Sequence, residues 1–184
     1  MTNLRFRKIS ETDLEQLRVW RMDPAVTRFL FTDPVITSEA QKQWFETVKD
    51  GENYRSWIVE YEGADVGFVT LSSIDWTNRR ADPGVFICNP AARGKGLARH
   101  IMLNVQRHAF EEMGLHKLYG PIMAANSSAV AAYMKAGYAL EGYFHDHVFK
   151  DGKFWDVVMI GMVEERWRRL SSESEYDRGE FEKY

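Results

Sequence analysis

The chain has one cysteine, five prolines and no apolar run long enough to cross a bilayer, and each scarcity closes off a class of protein. A single thiol, Cys88, forms no internal disulfide. It lies in the apolar run VFIC at 85–88, where a buried and inert thiol is expected. No stretch of about 18 apolar residues appears, and MTNLRFRKIS at the start lacks the apolar core of a secretory signal. No membrane association and a cytoplasmic location are therefore expected. Excess positive charge is missing too. Lys and Arg number 24 against 27 Asp and Glu, a net charge of -3, which speaks against a general nucleic-acid binder. A local arginine cluster can still grip a phosphate.

What is present suffices for one sizeable core. A chain of 184 residues, 45% hydrophobic and 14% aromatic, reads as one compact domain rather than a disordered segment. There is no internal repeat. LRFRKI at 4–9 alternates as a strand, and Ser10 with Asp13 forms a capping pair for a helix to about Arg21. Asp23-Pro24 interrupts it, and 24–37 reads as a short helix and a loop. Thr37 or Ser38 caps a second helix to about Lys49, and Asp50-Gly51 ends it.

Residues 56–63 and 64–75 read as antiparallel strands joined at Glu62-Gly63, and 81–88 as another. Pro83-Gly84 predicts a bulge or a splayed strand there. From Gly96 to Glu112 the pattern is helical, with Leu97, Ile101, Val105 and Ala109 on the apolar face and His100, Asn104, Arg107 and Glu111 on the polar one. After Gly114 follow a strand at 117–125, a helix at 127–137 and strands at 138–149 and 154–163 about an Asp151-Gly152 turn. The order is β-α-α-β-β-β-α-β-α-β-β, a mixed α+β sheet with helices on both faces. The domain is taken as 1–170, and 171–184 as a polar tail, mobile or loosely helical.

Chemistry concentrates in two segments. NPAARGKGLA at 89–98 opens the long helix through a turn rich in glycine and positive charge. Such a start presents unpaired N–H groups and the positive end of the helix dipole, which suits a phosphate. The spacing is neither that of a Walker loop nor GxGxxG. Alone, it also fits a glycine-rich connection with solvated charges. The second segment is NSSAVAAYMKAGY at 126–138.

Together these resemble the GCN5-related N-acetyltransferase (GNAT) family over about 5–165. Its pyrophosphate turn, Arg/Gln-x-x-Gly-x-Gly/Ala, is matched at Arg93, Gly96 and Ala98. Its Asn-x-x-Ala-x-x-x-Tyr-x-Lys-x-Gly-Phe/Tyr segment is matched at Asn126, Ala129, Tyr133, Lys135, Gly137 and Tyr138. The resemblance implies a twisted, mostly antiparallel sheet splayed between the fourth and fifth strands, and acetyl-CoA as cosubstrate without a metal. Pantetheine would lie along Val85, Phe86, Ile87 and Cys88, and pyrophosphate on the amides of Gly94, Gly96, Leu97 and Ala98, beside Arg93 and Lys95. Asn126 would bond the pantetheine arm.

Acetyl transfer needs a neutral amine, a held oxyanion and a protonated leaving thiolate. Tyr133 occupies the position of the family's general acid, and an amide of Phe86 or Ile87 would hold the oxyanion. Asp82 stands where several members carry a glutamate acting through water, and its shorter side chain puts direct proton abstraction in doubt. A surface turn residue beside Pro83 is the alternative. His145 and His147, two apart on a strand and so on one face, could contact substrate or face solvent. With Asp146 they make no metal site without a third ligand. His100, His108 and His116 read as structural or solvent residues.

For the acceptor, Arg21, Arg28, Phe29 and Phe31 form an aromatic and arginine-rich group suited to a nucleotide sugar. Trp20 and Trp44 fit helix packing. The WR-x-x-P-x-V segment, the IDWTNRRA turn and the DHVFKDGKFWDVVMIGM hairpin resemble N-acetyltransferases of UDP-linked 4-amino sugars, and also those acting on ribosomal-protein N-termini. The expected acceptor is a small-molecule amine, first an amino-sugar nucleotide. An N-terminal peptide or a non-catalytic acetyl-CoA-binding module is the alternative, and a homodimer is left open.

Overall fold

The computed structural model describes residues 4–171 and 178–184. Eight strands form one sheet in the order β6-β7-β5-β4-β3-β2-β1-β8. The first six of these in the chain are β1 (Leu4–Lys8), β2 (Arg55–Tyr61), β3 (Ala64–Asp75), β4 (Arg80–Ile87), β5 (Lys117–Met123) and β6 (Ala139–Lys150). They are followed by β7 (Lys153–Val163) and β8 (Glu180–Phe181). The helices are α1 (Leu14–Met22), α2 (Pro24–Thr27), α3 (Ser38–Val48), α4 (Leu97–Arg107), α5 (Ser127–Lys135) and α6 (Glu164–Ser171).

Local chemistry sets most boundaries. Ser10 N–H donates to Asp13 Oδ2 at 2.8 Å, and a single 3₁₀ turn, Glu11–Asp13, leads into α1. Thr37 rather than Ser38 caps α3, its Oγ1 accepting from Ala40 N–H at 3.1 Å. Asp151 (φ 54°) and Gly152 (φ 75°) form the tight turn between β6 and β7.

Each sheet face has its own core. On one, Leu97, Ile101 and Val105 of α4, with Ala109 just beyond it, pack on Phe6, Trp57, Leu71 and Leu118. On the other, Leu17 packs with Ile58, Phe68 and Cys88, flanked by Trp20, Trp44 and Phe86. Each such buried side chain contributes on the order of 1.5–3 kcal/mol.

The polar face assigned to α4 is corrected in part. Asn104 is fully buried, because the C-terminal segment returns across it: Gly179 N–H donates to Asn104 Oδ1 at 2.8 Å, and Arg107 Nη2 donates to Gly179 O at 2.8 Å. The tail reading is corrected for 178–184. Its β8 pairs parallel with β1, and Phe181 stacks on Phe6 and His108 at 4.0 and 4.1 Å. Residues 172–177 lie outside the described residues. The long helix also ends in one wider π turn, His108–Glu112.

Strand β4 governs the site. It pairs with β3 along its length apart from a bulge between Ser72 and Asp75, but meets β5 only at Arg80↔Lys117 and Ala81↔Leu118 before the two diverge. Cys88 N–H bonds Val66 O at 2.9 Å, so by antiparallel alternation Phe86 also bonds β3. The amides of Val85 and Ile87 therefore face the gap. Pro83 shares their parity, so its missing N–H costs the ladder nothing.

Candidate active site

Two adjoining cavities fill the gap. The first, about 450 Å³, is lined by Val85, Phe86, Ile87, Arg93, Gly94, Ala98, Met102, Asn126, Ala129 and Tyr133, with Val26, Phe29 and Leu30 across from them. The second, about 260 Å³, continues past Val85 and Tyr133 to Asp82, Ser72, Thr70, Phe29 and Phe31. A larger hollow of about 550 Å³ lies between α1 and α3, but no residue of the 93–98 turn, β4 or α5 reaches it.

The first cavity is made largely of backbone. Gly94 and Gly96 take φ of 74° and 76°, a left-handed conformation that leaves the turn's N–H groups at the open N-terminus of α4. The start of α5 adjoins it. Asn126 Oδ1 caps that helix, accepting from Ala129 N–H at 3.2 Å and Ser128 Oγ at 3.0 Å. Two helix N-termini and the gap-facing amides of Val85 and Ile87 thus suit a long ligand with phosphates at one end and amides along its arm. These residues fit coenzyme A.

Arg93 secures the turn: its Nε and Nη2 donate to the carbonyls of Ile87 and Cys88 at 3.0 and 3.1 Å. Lys95 is exposed beside it. Leu97 sends its side chain into the core, so only its backbone is available to a ligand. The Cys88 side chain is buried toward Phe68, and burial pushes its thiol up to about 12. Lys135 is exposed and lines a separate hollow with Leu103 and Leu170, away from both cavities.

At the junction, the buried Tyr133 donates its hydroxyl to Pro83 O at 2.9 Å. Burial, with Asp82 adding to it, holds the phenol above its usual range and keeps it protonated. Asp82 lies over Gly120, whose missing side chain makes room for it; a Cβ there would collide with Asp82 Oδ1. Burial pushes the Asp82 carboxyl up to about 6, and among the described residues no cation offsets this. A carboxyl so poised accepts a proton near neutral pH.

The acceptor residues expected from sequence divide. Phe29 and Phe31 line the second cavity. Arg21 does not reach it: Nη1 donates to Gln41 Oε1 at 3.0 Å, and the guanidinium lies over Trp44 at 4.8 Å, in the α1–α3 packing. Arg28 is exposed over Phe29 at 5.1 Å and lines neither cavity. The shared-face reading of His145 and His147 is corrected. Asp146 takes φ 48° within a bulge between Phe144 and Val148, pinned by Asp156 Oδ1 accepting from Asp146 N–H at 2.9 Å. His145 then packs on Tyr143 and His147 on Phe144, rings of neighbouring residues on opposite faces of β6. Among the described residues no group of His, Cys, Asp and Glu is placed to hold a metal.

Comparison with known proteins agrees with this architecture. The family model described as "Acetyltransferase (GNAT) domain" matches residues 3–139. The chain belongs to that family of acetyl-CoA-dependent N-acetyltransferases. It is similar to spermidine N(1)-acetyltransferase of Escherichia coli K12, 24% identical over 165 residues that cover 90% of this chain and 88% of the relative. The Vibrio cholerae enzyme of the same name is 23% identical over 92% of this chain and 98% of its own length. A crystal structure of spermidine N-acetyltransferase from Vibrio cholerae, in complex with CoA and spermine, superposes with a TM-score of 0.85 at 22% identity, covering 90% of this chain and 98% of that one. The narrower likeness to UDP-amino-sugar enzymes is not what these comparisons favour. A "Putative ribosomal N-acetyltransferase" of Bacillus subtilis is also similar, 26% identical over 58% of each chain, so the likeness is not to ribosomal enzymes specifically. Among the described residues no helix is long and apolar enough to cross a membrane.

Proposed function

We propose that this chain acetylates a primary amine of a small polycation of the polyamine class. The observation that carries this reading is the acceptor cavity itself. It holds one carboxylate, Asp82, with aromatic walls from Phe29 and Phe31, and no Lys or Arg lines it. A protonated amine gains from such a site through charge and ring faces, whereas a diphosphate meets a carboxylate of its own sign. The relatives named for spermidine support the same reading.

Acetyl-CoA supplies an activated acyl group. Asp82 takes the proton from the entering ammonium, directly or through one water, so that a neutral nitrogen attacks. The Ile87 amide, turned to the gap by the β4 register, donates to the oxyanion, while the Phe86 amide is spent on β3. Tyr133 gives its proton to the departing sulfur, giving up the bond it now makes to Pro83 O, and regains one from the nitrogen as the amide forms, while Asp82 releases its proton to solvent.

The test is thiol release over a panel of spermidine, spermine, putrescine, UDP-4-amino sugars and N-terminal peptides. Turnover of polyamines above the others is expected. Turnover confined to the UDP sugars would reinstate the nucleotide-sugar acceptor and remove this one. Tight acetyl-CoA binding with no turnover of any amine would favour a non-catalytic module.

A further inference from the structure

Strand β6 ends in a lysine that the transfer scheme does not use. Beside a tight turn a lysine ordinarily faces water, yet the Lys150 side chain is only 5% exposed. Its Nζ donates to Thr27 O at 2.7 Å and Leu30 O at 3.0 Å, lies 3.5 Å from Arg28 O, and pairs with Asp33 Oδ1 at 2.9 Å. A buried ammonium is tolerated only when so satisfied. Thr27 and Arg28 end α2, where carbonyls have no helical partner and a cation is favoured. The lysine is itself held: Trp155 Nε1 donates to its carbonyl at 3.0 Å.

The segment gathered by this ammonium is the wall of the acceptor cavity. Phe29, Leu30 and Phe31 face Asp82 and Tyr133 across it. At its far end the segment is tied through Ile36, whose carbonyl accepts from Arg18 Nη1 at 3.0 Å. We propose that Lys150 is a positioning residue for the acceptor. It fixes segment 27–33 over Asp82, so that the width of the cavity, and hence which amines enter productively, is set from the β6–β7 hairpin. This rests on the reading of the Asp82 end as the place where the amine binds.

Lys150→Met keeps the stem and removes the ammonium. Hydrogen exchange at the amides of Thr27, Arg28 and Leu30 is expected to quicken by about ten-fold or more, with α4 unchanged. Acceptor KM is expected to rise about 5–20-fold, while kcat stays within about three-fold and acetyl-CoA affinity is unaltered. A general loss of stability would move all of these together. Asp33→Asn, which spares the carbonyl contacts, shifts the same readouts the same way by less, and carries the test if Lys150→Met does not fold. Unchanged exchange over 27–33 in the variant used overturns the proposal. So does quickened exchange with acceptor KM unmoved. If the wild-type protein acetylates no polyamine, the exchange result alone decides for Lys150, and the substrate reading falls separately.

Discussion

The end of the cleft proposed for the cofactor offers backbone to a ligand, whereas the end proposed for the acceptor offers side chains. At the first, left-handed glycines, two helix starts and the gap-facing amides of β4 come from three short stretches, 85–87, 93–98 and 126–129. At the second, Asp82, Phe29 and Phe31, with the Lys150 ammonium behind the wall, come from segments separated by up to 121 residues. Backbone donors serve any ligand of the right outline and tolerate side-chain drift. A wall of side chains can be rebuilt one residue at a time, so family members can share a cosubstrate and differ in acceptor.

Substitutions at the junction and at each end are expected to separate these roles. The largest effect falls on Tyr133, which touches both. Tyr133→Phe removes only the hydroxyl donated to Pro83 O and should lower kcat by roughly 10²–10⁴ in steady-state thiol release, with acetyl-CoA affinity preserved. Full turnover limited by chemistry would assign the proton to another group.

Asp82→Asn comes next, with kcat expected to fall roughly 10–10³-fold and the acid limb near pH 6 to vanish from the rate profile. Stability should move the other way. Because burial raises the folded carboxyl from its ordinary 3.8 to about 6, the folded state binds its proton more tightly than the unfolded chain. The native protein is favoured by that proton below about pH 4 and loses the advantage as pH climbs through 6. At pH 8 the Asn variant should therefore be more stable by on the order of 2 kcal/mol, and the gain should disappear in denaturant melts below pH 4. A variant both slower and less stable at pH 8 would contradict this account of Asp82.

Gly96→Ala confines its damage to the cofactor end. No atom lies within 4 Å of the added methyl, so its cost in the free protein comes from φ 76°, about 1–2 kcal/mol. Calorimetry should show acetyl-CoA Kd raised by about ten-fold and acceptor KM at saturating cofactor unmoved. The smallest effect belongs to Arg28→Ala, whose exposed guanidinium lines neither cavity. Polyamine KM should change less than about two-fold. A ten-fold rise for a UDP sugar acceptor would show that this arginine grips a diphosphate.

What could be read from the sequence follows the same division. The 89–98 turn and the helix after Asn126 were legible because the residues that shape each are neighbours in the chain, though the role of Asn126 as that helix's cap was not read. Pro83-Gly84 marked the splay because a proline fits a strand only where its N–H is not needed. The fate of Arg21 was not legible, since Gln41 and Trp44 meet it only once α1 and α3 pack. Nor was β8, whose polar composition hides a single ring, Phe181, slotted between Phe6 and His108. His145 and His147 failed the alternation rule because a bulge at Asp146 breaks it. Lys150 resembled any charged residue beside a turn until its four oxygen neighbours were in place.

Cys88 has a consequence for handling the reaction product. Acetyl transfer liberates a thiol beside the strand that carries the protein's single cysteine, and once an oxidant has converted that product to coenzyme A disulfide, exchange with Cys88 would give a mixed disulfide. The Cys88 sulfur lies in the opposite core, 4.0 Å from Phe86 O, with its ionisation pushed to about 12. At pH 8 only about one molecule in 10⁴ would carry the thiolate needed for exchange. Cys88, buried and held protonated, is therefore expected to react slowly both with coenzyme A disulfide and with thiol-trapping dyes in the native protein.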